Sequence, residues 1–446
     1  MAAQQPLTAS LLRPGPLWAV LVAAVLTAQT FWLQHGKGDE LFYVATAMKL
    51  EASGWSGYSL RGVDDRRVQG IYREFTPAAS GAEGTLLSAL KKSGAVYYDA
   101  PLLTQPPLLS LLIQGSHRLL DGRSAYRILP FPLPFPRDLR PSEANTVRWR
   151  VVRTQLYAAL WPFLFGLLSV GAVYALTLEL SDDRRAATWA SLLMAAAPEH
   201  LLASSKIWAD TAVTVLVTLS VWAWIRARRS DSSPMALAAG ALCGLAALAK
   251  TTGYLPLLVV AAMYLRGLVL RQRERSLVPF AVGTAVLSAP WYLYVAAVYG
   301  DPLYVNILSQ PVPAGEWFGE LASRPLGYYL VNLPYQTPLI LAAAAAPVAL
   351  WTARTPGARS LLAAWVLLPL TVLYATKEMR YLLPLYPPLL ALAGAGLERA
   401  RRYLDGIRPP TGSLVTAAAL AASLLWSASI GLSHAAAGSG LIKAPF

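Results

Sequence analysis

Four groups of ionisable residues stand beside apolar runs in this chain, where charge is costly unless it is hydrated, paired or used. Asp39-Glu40 follow the first apolar run by a few residues, and Tyr43 lies four positions after Asp39, on the same face of any helix there. Lys206 and Asp210 bracket Ile-Trp-Ala between two further runs, with Glu199-His200 just before them, after Pro198. Lys250 opens Lys-Thr-Thr-Gly inside an otherwise apolar stretch, and Lys377-Glu378-Met379-Arg380-Tyr381 precedes Pro384 and the pair Pro387-Pro388. The chemistry within reach of such groups is proton transfer by a carboxylate and capture of an anion, such as a lipid phosphate, by cations. Each group also has a plainer reading. Asp39-Glu40 could be a solvated turn and Asp210 a helix N-cap. Lys250 could be a snorkelling residue in a hairpin turn, and Arg380 a partner of Glu378.

The elements that must position these groups are membrane helices. Of the 446 residues, 55% are hydrophobic and 14% charged, and several apolar runs approach the length that crosses hydrocarbon. This excludes a soluble enzyme and a disordered chain. The hydropathy places spans at about 16–35, 154–178, 185–203, 207–225, 235–250, 254–270, 277–298, 336–352, 359–375, 381–397 and 413–433. The fold expected is an all-α polytopic membrane protein with about 11 transmembrane helices. The first run follows Arg13 and reads as a retained helix rather than a cleaved signal, because no small-residue cleavage pattern follows it.

Arginine sets the orientation. Arg13, Arg184-Arg185, Arg226/Arg228/Arg229, Arg266/Arg271/Arg273/Arg275, Arg354/Arg359 and Arg399/Arg401/Arg402/Arg408 all fall on one side of this map, which the positive-inside rule makes cytoplasmic. The N-terminus is then cytoplasmic. Most of the net charge of +14 reads as topology rather than as a site for nucleic acid. The organisation expected is an N-terminus and first helix (1–35), an extracytoplasmic loop (36–153), a transmembrane core (154–298), a second outer loop (299–335) and C-terminal helices (336–446). The run 101–120 reads as an interfacial helix started by Pro106-Pro107, because a crossing there would invert every later arginine connector. All four groups above lie on the outer side.

Other chemistries lack their residues. His35, His117, His200 and His434 have no zinc-site spacing, and the single cysteine, Cys243, permits no intrachain disulfide. No nucleotide-binding glycine loop occurs. Gly240 and Gly244 form a small-xxx-small pair, which reads as helix packing.

Taken in order, these pieces resemble the polyprenol-phosphate-dependent membrane glycosyltransferases of the GT-C class, and within it the protein mannosyltransferase and lipid A aminoarabinose transferase superfamily. The resemblance is carried by Gly-Asp-Glu-Leu-Phe-Tyr at 38–43, Tyr97-Tyr98-Asp99 with Gln105-Pro106-Pro107-Leu108, and Arg153 with Leu164-Phe165-Gly166-Leu167-Leu168. It continues with Ala197-Pro198 and Asp210, Leu248-Ala249-Lys250-Thr251, and Lys377 through Pro384. It implies a GT-C-like fold in a prokaryotic cell membrane. It also implies inverting transfer of a sugar from a polyprenyl-phosphate donor to a lipid, glycan or protein hydroxyl on the extracytoplasmic face.

On that resemblance Asp39 is the catalytic carboxylate, with Asp210 and Glu40 as further acids. Tyr43, Tyr98, Asp99, Gln105, Lys206, Lys250, Lys377, Arg380 and Tyr381 bind substrate. Gln105 departs from the family, which usually has histidine or lysine before Pro-Pro, so recognition there differs. No cofactor is assigned; a divalent metal could bind near Asp39 and Glu40, although two adjacent acids do not specify one. Competing readings are a lipid-linked glycan polymerase or ligase, and a transporter or flippase.

Overall fold

The computed structural model describes residues 14–31, 43, 46–47, 50, 54–55, 106–120, 141–271, 275–299, 365 and 379–438, and among these all regular secondary structure is helical. The helices are α1 (Pro14–Phe31), α2 (Leu108–Leu120), α3 (Pro141–Ser181), α4 (Arg184–Ala196), α5 (Pro198–Ser205) and α6 (Asp210–Ser230). They continue as α7 (Ser233–Ala249), α8 (Leu255–Val269), α9 (Leu277–Tyr299), α10 (Tyr386–Ile407) and α11 (Thr411–Gly438). Short 3-10 segments at Thr251–Tyr254 and Met379–Leu385 precede α8 and α10.

Local chemistry sets the helix ends. Asp183 caps α4, its Oδ1 accepting from the backbone N–H of Arg185 at 2.9 Å and Ala186 at 3.2 Å. Pro198 has no N–H to continue α4, so the chain turns through an extended Ala197 and restarts as α5. Helix α6 ends on Asp231 in the left-handed region, with Arg228 and Arg229 in its last turn, where cations suit the helix dipole.

The arginine connectors meet at one end of the bundle. Arg229 donates to Glu179 at the end of α3, and Arg402 on α10 pairs with Asp183. Arg275 before α9 lies 3.5 Å from Asp231. Arg401 is held by Glu398 at 2.6 Å and Asp405 at 2.7 Å. The opposite end gathers the connector 206–209, Lys250 with its following turn, and the segment Met379–Leu385. For the described connectors the grouping read from charge is the grouping the helices make; Arg13, Arg273, Arg354 and Arg359 lie outside the described residues.

Helices α7 and α9 touch backbone to backbone. A Cβ on Gly240 would stand 1.9 Å from the Phe280 carbonyl oxygen, and one on Gly283 would stand 2.2 Å from that of Leu237. Thr284 Oγ1 crosses the same seam to the Gly240 carbonyl at 3.1 Å. The small-residue pair is a packing device, as its spacing implied. Cys243 lies buried within the same helix, its Sγ 3.7 Å from the Gly253 carbonyl.

The span map needs correction. Among the described residues five helical segments are long and apolar enough to cross a membrane, against about 11 expected: Tyr157–Ser181, Asp210–Ser230, Thr251–Val269, Leu277–Ala297 and Thr411–Gly431. Shorter apolar helices cover Pro16–Ala28 and Ser233–Ala249. The expected span 185–203 is two helices, because Pro198 divides it. The expected span 381–397 begins as a 3-10 segment, and only from Tyr386 is it α-helix. The runs 336–352 and 359–375 lie outside the described residues. Helix α2 has 13 residues, roughly 20 Å, which is too short to cross about 30 Å of hydrocarbon. It packs on α3, where Trp161 Nε1 donates to the Leu112 carbonyl at 2.8 Å and to Ser116 Oγ at 2.7 Å.

Candidate active site

Three segments far apart in sequence converge at the end opposite the arginines. Asp210 is the first residue of α6, a helix fixed against α3 by a bond from Thr211 Oγ1 to the Pro162 carbonyl at 3.2 Å. The alternative N-cap reading does not hold: Ala209 occupies the cap position and no side chain caps the helix. The Asp210 side chain instead accepts from Lys250 Nζ at 2.8 Å.

Lys250 comes to this place because α7 stops there. Its backbone is extended (φ −162°, ψ 147°), and its carbonyl accepts from the Gly253 N–H at 2.8 Å. The turn passes so close to α7 that a Cβ on Gly253 would stand 2.1 Å from the Ala246 backbone, which leaves room for glycine alone. The hairpin turn read from sequence is present. The lysine does not simply snorkel to solvent, however, since its ammonium is paired and stands 4.5 Å from the centre of the Tyr381 ring.

Arg380 supplies a second cation. It is buried, at 4% exposure, with its guanidinium carbon 4.5 Å from the centre of the Trp208 ring and 5.3 Å from that of Tyr381. Both distances suit cation–π attraction, which strengthens as water is excluded. Trp365 Nε1 donates to the Pro384 carbonyl at 3.1 Å and holds the 3-10 segment that carries Arg380 and Tyr381. Lys250 and Arg380 thus share the Tyr381 ring, with Asp210 as the carboxylate beside them. A partly buried ion pair is costly to desolvate and is weak evidence for stability alone. Placed among aromatics at a helix end, it offers cations to an anionic ligand.

The structure joins Asp210, Lys250, Arg380 and Tyr381 of the residues expected in the site. Lys206 is buried, and its carbonyl accepts from the Trp208 N–H at 2.8 Å on the same connector. Tyr43 is buried too, and its carbonyl accepts from Ser110 Oγ at 3.1 Å, which ties the start of the first loop to α2. Asp39, Glu40, Tyr98, Asp99, Gln105 and Lys377 lie outside the described residues. Among the described residues no three His, Cys, Asp or Glu side chains form a metal-binding group.

His200, which stood near the polar connector in sequence, turns inward. Its Nε2 lies 2.8 Å from Ser169 Oγ and 3.1 Å from the Gly166 carbonyl, between α3 and α5. It is a core histidine. Two tryptophans escaped notice. Trp208 had one usable signal, a large aromatic midway between Lys206 and Asp210 at an apolar boundary. Trp365 had none, since nothing local marks a partner for Pro384.

Residues 143–301 match the family model of dolichyl-phosphate-mannose-protein mannosyltransferases. The fold is similar to that of ArnT from Cupriavidus metallidurans in the apo state, with a TM-score of 0.58 and 17% identity over 95% of this chain and 76% of that one. ArnT bound to undecaprenyl phosphate matches at TM-score 0.56 and 18% identity, with the same coverage. The archaeal oligosaccharyltransferase AglB from Archaeoglobus fulgidus, in complex with an inhibitory peptide and a dolichol-phosphate, matches at 0.57 and 13% identity over 94% of this chain and 56% of that one. No curated protein sequence matches the chain. With helices throughout the described residues, charges sorted to opposite ends and these likenesses, the chain is an all-α polytopic membrane protein with a GT-C-like fold similar to those of ArnT and AglB, and residues 143–301 resemble the protein mannosyltransferases.

Proposed function

We propose that this protein is an inverting glycosyltransferase that moves a sugar from a polyprenyl-phosphate donor to an acceptor hydroxyl on the extracytoplasmic face. The observation that carries the reading is the meeting of Lys250 and Arg380 around Tyr381, at the bundle end opposite the arginine connectors. The positive-inside rule puts those connectors in the cytoplasm, and hence this pair outside. Cations held there among aromatics suit an anion, and solved structures of similar fold that hold undecaprenyl phosphate and dolichol-phosphate support that class.

In the reaction the acceptor oxygen bonds to the anomeric carbon from the face opposite the phosphate. The carbon–oxygen bond to the phosphate breaks, and its electron pair stays on the phosphate. The acceptor proton passes to a carboxylate, for which Asp39 is assigned by its position after α1 and its family match. Arg380 and Lys250 stabilise the charge that gathers on the departing phosphate. Tyr43 and the loop residues Tyr98, Asp99 and Gln105 shape the acceptor side, and Lys377 adds a cation beside Arg380. Because the phosphate leaves readily, no second acid is required.

The test is transfer of a labelled sugar from a prenyl-phosphate donor by purified protein in liposomes, with product stereochemistry read by NMR. Sugar-labelled product of inverted configuration is expected. Movement of intact donor across the bilayer without transfer would replace this reading with a flippase.

A further inference from the structure

Trp208 has one polar group on its side chain, the indole N–H, which can donate and cannot accept. That nitrogen is buried and meets no acceptor among the described residues. The backbone N–H of the same residue is satisfied, by the Lys206 carbonyl at 2.8 Å. Other indoles of the bundle find partners: Trp161, Trp224 and Trp365 each donate from Nε1 to an oxygen. Trp189 and Trp222 leave theirs unmade as Trp208 does. They stand toward the arginine end, however, five residues after Arg184 and four before Arg226. Trp208 alone of these three lies on the connector between Lys206 and Asp210, against Arg380. A buried donor without an acceptor is costly, and a ligand that brings an acceptor removes the cost. The cover over this one is shallow, since Trp208 as a whole is only half-buried.

The chemistry of the neighbourhood says which acceptor. The guanidinium carbon of Arg380 lies 4.5 Å from the centre of the indole, so the ring uses its face for the cation and keeps its rim for another group. An oxygen gripped by that guanidinium comes to rest beside the ring, within reach of the rim. A phosphate ester offers several strong acceptor oxygens, so one can meet the guanidinium and a second the indole. We propose that Trp208 is a ligand-binding residue of the donor site: its face carries Arg380, and its indole N–H donates to an oxygen of the prenyl phosphate that Arg380 holds. The cations supply attraction, and the indole fixes which way the phosphate is turned. The proposal rests on the reading of the Lys250–Arg380 end as the phosphate site.

The test uses the purified full chain in detergent, grown with isotope-labelled tryptophan so that the indole N–H groups are seen by NMR. The signal that disappears in Trp208→Phe is that of Trp208. Farnesyl phosphate is the probe, and farnesol, with the same tail and no phosphate, is the control. The Trp208 indole proton should move downfield as farnesyl phosphate is added, saturating at the dissociation constant that calorimetry gives, and should not follow farnesol. In a second arm 3-benzothienylalanine replaces Trp208, so that sulfur stands where the N–H was and the ring keeps its shape and its face for Arg380. Affinity for farnesyl phosphate should fall roughly tenfold or more, the loss expected for a hydrogen bond to a charged group. This arm needs no signal assignment and holds even if Trp208→Phe does not fold. Unaltered affinity there, or a Trp208 signal that stays in place while farnesyl phosphate binds, overturns the proposal and leaves Trp208 as a support for Arg380. Failure of the wild type to bind farnesyl phosphate, or binding that Arg380→Ala leaves unaltered, overturns the phosphate reading and the proposal with it.

Discussion

The guanidinium carbon of Arg380 lies 4.5 Å from the centre of the Trp208 ring, so a cation from the segment before α10 rests on an aromatic from the connector before α6. That contact joins the part of the chain that matches the mannosyltransferase model to a part beyond it. The site is completed across the bundle rather than within one segment.

Replacing Arg380 with alanine should weaken donor use more than it harms folding. A charge-assisted phosphate bond contributes about 1.5–3 kcal/mol, so roughly a ten- to hundredfold loss is expected. Donor titrations check this, with a melting curve in detergent beside them. Unchanged donor affinity and turnover would return Arg380 to a packing role against Trp208.

Asp39→Asn should retain donor binding and lose most transfer, on the order of 100-fold or more for a lost general base. Glu40 should point elsewhere if this stretch is helical, so Glu40→Gln should be milder. Turnover at saturating donor and acceptor separates the two. Near wild-type turnover in Asp39→Asn would remove it as the base.

The glycine seam predicts a graded series. Gly240→Ala pushes a methyl group into the Phe280 backbone and should destabilise by about 1–3 kcal/mol or more. Gly244→Ala meets the Thr284 carbonyl oxygen at 2.7 Å and should cost less. Gly171→Ala meets nothing within 4 Å and should be neutral or slightly stabilising. Melting temperatures in one detergent rank the three, and a reversed order would show that α7 and α9 do not pack this way.

Acid should weaken the arginine end first. Burial alone would raise the Glu398 carboxyl, but hydrogen bonds and charge from Arg401 and Arg402 outweigh it and hold it below its ordinary value. Asp405 is also held low: desolvation works against this, while bonds from Ser413 and the charge of Arg401 prevail. Both native carboxyls therefore bind protons less readily than in the unfolded chain. Their stabilisation is present above the ordinary carboxylate range, about pH 4, and is lost as pH falls through the lower folded values. Melting temperature followed from pH 7 to pH 3 should fall most steeply below about pH 4, and less steeply in Glu398→Gln. Equal slopes would show that these pairs do not contribute.

Topology is open to direct labelling, because the single native cysteine, Cys243, is buried. Cysteines at Thr252 and Arg271, both exposed, lie at opposite ends of α8. Thr252→Cys should react with an impermeant reagent from outside, and Arg271→Cys only after the membrane is opened. A reporter near Gly70 should behave like Thr252. The reverse pattern would place the Lys250–Arg380 site in the cytoplasm.

What the sequence disclosed follows from the range of the forces involved. Arg184-Arg185, Arg226–Arg229 and Arg401-Arg402 sort to one end because charge beside an apolar run is a local signal. Gly240 and Gly244 were readable for the same reason, four residues apart on one face. Pro198 was misjudged: hydropathy adds apolar side chains and does not register a missing N–H, so one span was expected where two helices stand. Asp210 was read as a site acid with a helix N-cap as the plainer, local alternative, and the partner that decided against the cap stands 40 residues away. The contact of Arg380 with Trp208 was hidden for that reason too, since cation–π geometry exists only after the two connectors have met.

Helix α3 has 41 residues, of which Tyr157–Ser181 are the apolar span. The 16 residues before Tyr157 extend the same helix by roughly 24 Å at the end where Lys250 and Arg380 lie. The first loop therefore does not hang from the bundle by slack chain at its second anchor. It is delivered on a strut of set length, and under the proposed transfer that standoff would set how large an acceptor can reach the donor.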